Sequence, residues 1–145
     1  MSGLDTAKAL CKRCGEWIQA ALLARERRSR QSLQKARAEQ KALSLLLNLL
    51  SHEQRHEFQT LGYFHVTGGS SGDRYRIRLD SAVNVDVLGE DGIVRYHLCA
   101  RPAGEIPMYD VMAGQMLFLQ DRATETHFLE QAKRHVTLLF PAMLR

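Results

Sequence analysis

Five consecutive residues, His52, Glu53, Gln54, Arg55 and His56, match the pattern of a helical zinc site. In that pattern two histidines at i and i+4 hold the metal, and the glutamate acts as general base on its bound water. The spacing matters because residues four apart share one face of a helix. Catalytic zinc also needs a third protein ligand, and none stands downstream at a recognised spacing; His65 is the nearest candidate. Ser51 with Gln54 reads as a capping box, which puts His52 in the first helical turn. Gln54 and Arg55 are polar where a zinc helix is normally apolar. The plainer reading is a short surface helix from Ser51 to Leu61, ended by Gly62.

Cys11 and Cys14, followed by Gly15, have the spacing of one half of a zinc knuckle. A closed structural site needs four ligands, and no second pair of this kind follows. At helical spacing the two thiols share the face of Ile18 and Leu22, which is their simpler role. The chain has three cysteines. An odd number argues against a disulfide framework and for a reducing, cytoplasmic setting. No cofactor is indicated, because no glycine-rich phosphate loop follows a strand.

These residues sit in a chain of 145 residues with a net charge of +4. The charge is unevenly placed: residues 1–50 carry net +6 and residues 51–145 net −2. A basic arm on a mildly acidic domain suggests contact with nucleic acid, an anionic membrane surface or an acidic protein. The cations concerned are Arg25, Arg27, Arg28, Arg30, Lys35, Arg37 and Lys41. At 100° per residue they wrap most of a helix, and no aromatic residue interleaves them for base stacking. The longest apolar run near the start, Trp17 to Ala24, is too short to span a bilayer.

Residues 7–50 lack proline, contain one glycine and are rich in helix formers. They predict one helix of roughly 65 Å at 1.5 Å per residue. Leu33, Ala36, Leu43, Leu47 and Leu50, with polar Gln40 among them, give a coiled-coil-like seam suited to self-association. Beyond it, residues 51–145 predict a small α+β domain. Its expected parts are a short helix, a four-stranded antiparallel meander and two C-terminal helices. Tyr63–Thr67 reads as the first strand and the run from Gly68 to Gly72 as a tight, flexible turn. Arg74, Arg76 and Arg78 alternate with Tyr75 and Ile77. Val83, Val85 and Val87 alternate with Asn84 and Asp86, after a reversal at 80–82. Glu90 to Gly92 is a hairpin turn, and Ile93 to Ala100 the return strand. Val111, Met112, Met116, Leu117 and Leu119 mark the first C-terminal helix. Phe128, Leu129 and Ala132 mark the inward side of a second, over 125–135. An apolar tail closes the chain.

Taken in order, Ser51 to Phe58, Gly62 to Val66, Ser70 to Ile77, Asn84 to Leu88, and Leu98 to Pro102 form a pattern. It continues through Pro107, Tyr109 to Met112, Gln115, Leu117 and Leu119. The pattern resembles a small domain of uncharacterised bacterial and bacteriophage proteins, over about residues 43–135. The resemblance implies an α+β domain behind a variable N-terminal region, and it brings no assigned activity. The family commonly has proline where this chain has His52, which weighs against zinc. It often has histidine where this chain has Arg101, beside Cys99.

The sequence therefore favours a non-enzymatic binding or assembly module, of a kind to be sought among phage or mobile-element proteins. It would meet a partner protein, nucleic acid or a second copy through its basic helix. The alternative is a minimal zinc-dependent hydrolase using His52 and His56 as ligands and Glu53 as base.

Overall fold

The computed structural model of the chain describes residues 3–79 and 83–135, with side chains at position 13 and from position 15 onward. The reversal expected at 80–82, the thiols of Cys11 and Cys14, and the apolar tail lie outside what it describes. The chain divides into two units, Met1–Ala38 and Glu39–Arg145.

The first unit is helical. It is the greater part of α1, Gly3–Leu49. Every described side chain from 15 to 38 is exposed. Without burial, this stretch is held by intrinsic propensity and by local pairs such as Arg30 with Glu26, 2.6 Å apart one turn away.

The second unit begins inside the same helix. In its last turns Ala42 and Leu46 are buried, Leu43 and Leu47 pack half-buried against the core, and Leu50, just past its end, is buried too. A sharp stop follows at Ser51, the N-cap of α2, His52–Leu61. Both halves of the expected capping box form, with Gln54 N–H donating to Ser51 Oγ at 3.2 Å and Gln54 Oε1 accepting from Ser51 N–H at 3.1 Å. Gly62 ends the helix at φ 74°, a left-handed conformation that suits glycine. Arg55 reaches back and donates to the Leu47 carbonyl at 2.8 Å, satisfying an acceptor left over at the end of α1.

Strands β1 (Tyr63–Thr67), β2 (Arg74–Arg78), β3 (Val85–Leu88) and β4 (Val94–Cys99) follow. Helices α3 (Met108–Gln120) and α4 (Glu125–Gln131) precede β5 (Lys133–His135). The strands form one antiparallel sheet in the order β1-β2-β3-β4-β5. One face carries Phe64, Val66, Tyr75, Ile77, Val85, Val87 and Leu98 into the core. Met112, Met116 and Leu119 of α3, Phe128 of α4, Phe58 of α2 and Leu46 of α1 complete that core.

Among the described residues the sheet has five strands where the sequence pattern predicts four. The second C-terminal helix, expected over 125–135, stops at Gln131, and Ala132 is extended at ψ 136°. Lys133 to His135 then pair with β4, giving its otherwise open edge a hydrogen-bonding neighbour. In α3, Leu117 is exposed and does not join the apolar side.

Leu46 is buried in the core whereas Leu33 is exposed on the first unit. Leu46→Ala is therefore expected to lower unfolding stability by roughly 2–5 kcal/mol, and Leu33→Ala by less than about 0.5 kcal/mol. Urea denaturation followed by circular dichroism checks this. Equal effects at the two sites would contradict the assignment of α1 to two environments.

Candidate functional site

The zinc-like residues are distributed by α2 along an open surface. His52, Glu53 and His56 are all exposed. Glu53 and His56 line an open groove of about 690 Å³ with Glu57, His65, Arg74 and Gln120, and His52 is not part of it. Among the described residues no group of three His, Cys, Asp or Glu is placed to hold a metal. The two central residues of the motif have other work. Gln54 Nε2 donates to the His65 carbonyl at 2.7 Å, and Arg55 caps α1. Glu57, just past the motif, accepts from His65 N–H at 3.0 Å and lies 2.5 Å from His65 Nδ1. α2 is thereby tied to β1 by three polar contacts.

The seam residues divide between the two units. Leu33 and Ala36 are exposed, while Leu43, Leu47 and Leu50 are already engaged by the core of the second unit. The cations Arg25, Arg27, Arg28, Arg30, Lys35, Arg37 and Lys41 are exposed. Trp17, Ile18, Leu22 and Leu23 are exposed with them, Trp17 to 71%.

The most organised constellation is on the sheet face opposite the core. Strand register aligns His65, Arg76, Asp86, His97 and His135 in one row across all five strands. Asp86, at the centre, is fully buried. Its Oδ2 accepts from Arg76, at 2.8 Å from Nε and 2.6 Å from Nη2. Arg78 Nε lies 3.2 Å from Oδ1 and 3.1 Å from Oδ2. His97 Nδ1 lies 2.7 Å from Oδ1. Arg78 also donates to the Val83 carbonyl at 2.8 Å. Arg76 lies over the Tyr63 ring, 5.3 Å from its centre.

Asn84, expected beside Asp86, instead exchanges two hydrogen bonds with Gln115 of α3, at 2.8 and 2.9 Å. The arginine face and its pairing with Asp86 follow from strand alternation. The same alternation in β4 puts His97 on that face, a signal that a reading centred on the arginines passes over.

A second buried carboxylate, Glu125 at the start of α4, has no local sequence signal. It accepts from Ser70 N–H at 2.6 Å, Ser71 N–H at 2.9 Å, Ser71 Oγ at 2.5 Å and Tyr75 Oη at 2.7 Å. The run Gly68 to Gly72, expected to be flexible, is thus clamped. A Cβ at Gly68 would overlap the Glu125 carboxylate, and one at Gly69 the Gln120 carbonyl. Burial pushes the Glu125 carboxyl up, but hydrogen bonds from Ser71, Tyr75 and Ser70 outweigh it and hold the group below the usual carboxylate range. Burial first, then the Glu125 charge, holds the Tyr75 phenol well above its ordinary value, with Ser71 opposing.

Compared with known proteins, the chain matches no family model, and neither the curated proteins nor the solved structures contain a match.

Because the folded-state pKa of Glu125 is lowered, its contribution to stability is complete above the unfolded value of about 4.3. It disappears as pH falls through the folded value. Tyr75 is shifted the other way, so its contribution is complete below about pH 10 and is lost above that. Glu125→Gln removes the charge from this clamp, and is expected to cost about 2–3 kcal/mol at pH 7. The gap between variant and wild type should narrow in acid, where the wild-type carboxyl is protonated. A gap in urea midpoints that stays constant from neutral to acid pH would contradict the charged clamp.

Proposed function

We propose that the protein is a non-enzymatic binding or assembly module, with residues 39–135 as scaffold and the helical arm as contact element. The observation that carries this reading is the exposure of Trp17, Ile18, Leu22 and Leu33 on a helix that is also strongly basic. Apolar side chains at such spacing favour packing against another helix. Arg25, Arg27, Arg28, Arg30, Lys35 and Arg37 stand against Glu16 and Glu26 over residues 15–38. A second copy would bring like charge against like charge, so an acidic helix of a partner protein is the better complement. The cations alone would also hold nucleic acid, with affinity falling steeply in salt. The resemblance to a bacterial and bacteriophage domain supports a phage or mobile-element origin, and the odd number of cysteines supports a place in the cytoplasm. No helix among the described residues is long and apolar enough to cross a membrane.

Trp17 is the chain's one tryptophan, so its fluorescence reports on the arm alone. Titration with a synthetic acidic amphipathic helix is expected to shift Trp17 emission to the blue. Ile18→Ser with Leu22→Ser, both exposed in the free chain, should abolish the shift without altering the unfolding transition. Unchanged emission in the wild type would overturn the acidic-helix reading. An emission maximum that moves with protein concentration alone, together with a doubled mass by light scattering, would replace it with self-association.

A further inference from the structure

We propose that α2 guards one edge of the sheet, and that Gln54 and Glu57 hold β1 closed to a second copy of this chain by occupying the backbone positions through which two β1 strands would pair. The contact lies within the second unit and needs nothing from the helical arm. Three observations support it.

The first is where the backbone bonds of His65 go. β1 is a terminal strand, with β2 on one side only. At its two ends Gly62 and Gly68 bond across to Leu79 and Asp73. Antiparallel pairing alternates, so Phe64 and Val66 turn toward β2, and Tyr63, His65 and Thr67 turn their N–H and C=O outward. His65, in the middle, meets side chains there. Its N–H donates to Glu57 Oε2 at 3.0 Å, and its carbonyl accepts from Gln54 Nε2 at 2.7 Å. One acceptor and one donor are what a residue of an added strand would present. Glu57 Oε1 also lies 2.5 Å from His65 Nδ1, which fixes the carboxylate in place.

The second is composition. β1 reads Tyr63, Phe64, His65, Val66, Thr67, and four of these five are strong strand formers. It contains no Lys, Arg, Asp, Glu or Pro to discourage pairing with another strand. The far edge of the sheet is defended differently. β5 is short and carries Lys133, Arg134 and His135, all exposed. Charge and brevity protect one edge, and a helix protects the other.

The third is that α2 does not depend on His65 for its own place. Phe58 anchors it in the core, edge-on to Phe64 at 6.0 Å. The capping box at Ser51 and the Arg55 bond to the Leu47 carbonyl fasten its start. An open groove of about 690 Å³ lies between α2 and β1, lined by Glu53, Glu57, Thr60, His65 and Thr67 among others. Two side chains, and not helix backbone, fill the bonding positions at His65. With them withdrawn, two β1 strands related by a two-fold axis through His65 would pair antiparallel, Tyr63 of one copy opposite Thr67 of the other. Such pairing uses up the edge in both copies, so it closes at a dimer.

The experiment is amide hydrogen exchange combined with light scattering on the full chain, over a range of concentrations. In the wild type the His65 amide should be protected, and rapid exchange there overturns the proposal by itself. Gln54→Glu with Glu57→Leu removes the guard. A glutamate still closes the capping box but has no hydrogen for the His65 carbonyl, and leucine keeps the helix while offering no acceptor. In dilute solution the His65 amide of this variant should exchange roughly tenfold faster or more. At high concentration protection should return as the mass doubles. Glu57→Leu alone, which leaves Gln54 in place, carries the same test should the double variant fail to fold. His65→Pro added to either variant removes the outward N–H and should restore the wild-type mass. Trp17 emission should stay constant throughout, because the arm takes no part. The proposal is overturned if the folded variant keeps the wild-type mass at every concentration, if association survives His65→Pro, or if species larger than a dimer form.

Discussion

One carboxylate sets the terms for the sheet. Asp86 is removed from solvent at the middle of the central strand, where an uncompensated charge would cost several kcal/mol. Its partners come from both neighbouring strands, Arg76 and Arg78 from β2 and His97 from β4. A slip of one residue in either pairing would turn those side chains to the other face and put Val87 or Tyr75 in the wrong place. The ion cluster and the apolar core thus demand the same register from opposite sides. That agreement makes the sheet more specific than its small size would suggest.

The other buried polar groups fasten the helices. Glu125 binds α4 to the loop between β1 and β2. Asn84 and Gln115 bind α3 to the approach to β3, with Gln115 also donating to the Ala100 carbonyl at 3.0 Å. Arg55 joins α2 to the end of α1. Among the described residues no buried side-chain nitrogen or oxygen is left without a partner. Polar groups so fully occupied with each other act as struts between the helices and the sheet. The exposed cations of the arm, Arg25 to Lys41, lie outside these networks.

Much of this fold is legible in the sequence, because its signals are local. The capping box at Ser51, the glycine stop at Gly62, the alternation of Arg74 to Arg78 and the Gly92 turn each depend on neighbouring residues. The features that escape depend on distant ones. Lys133 to His135 have no strand character of their own and become a strand because β4 offers an edge. The loop of Gly68 to Gly72 looks flexible in isolation, and distant partners tie it down, Glu125 some fifty residues on and the Leu119 carbonyl of α3. The seam through Leu43, Leu47 and Leu50 is an apolar stripe, as its spacing says. What it packs against is a tertiary question: Leu50 enters the core of its own domain, and Leu43 and Leu47 lie half-buried against it. The zinc-like spelling at His52 to His56 is the converse case, a local pattern whose middle residues are taken up by capping and by β1.

Asp86 is the anchor that holds the side chains of Arg76, Arg78 and His97 in one place on the sheet. The most direct measurement is a side-chain ¹H–¹⁵N spectrum of the arginine Nε–H groups in the folded chain near neutral pH, compared between the wild type and Asp86→Asn. Resolved, exchange-protected signals are predicted for Arg76 and Arg78 in the wild type, with both shifted or lost in the variant. Signals for these two residues erased by solvent exchange in the wild type, or unmoved by the substitution, would contradict it.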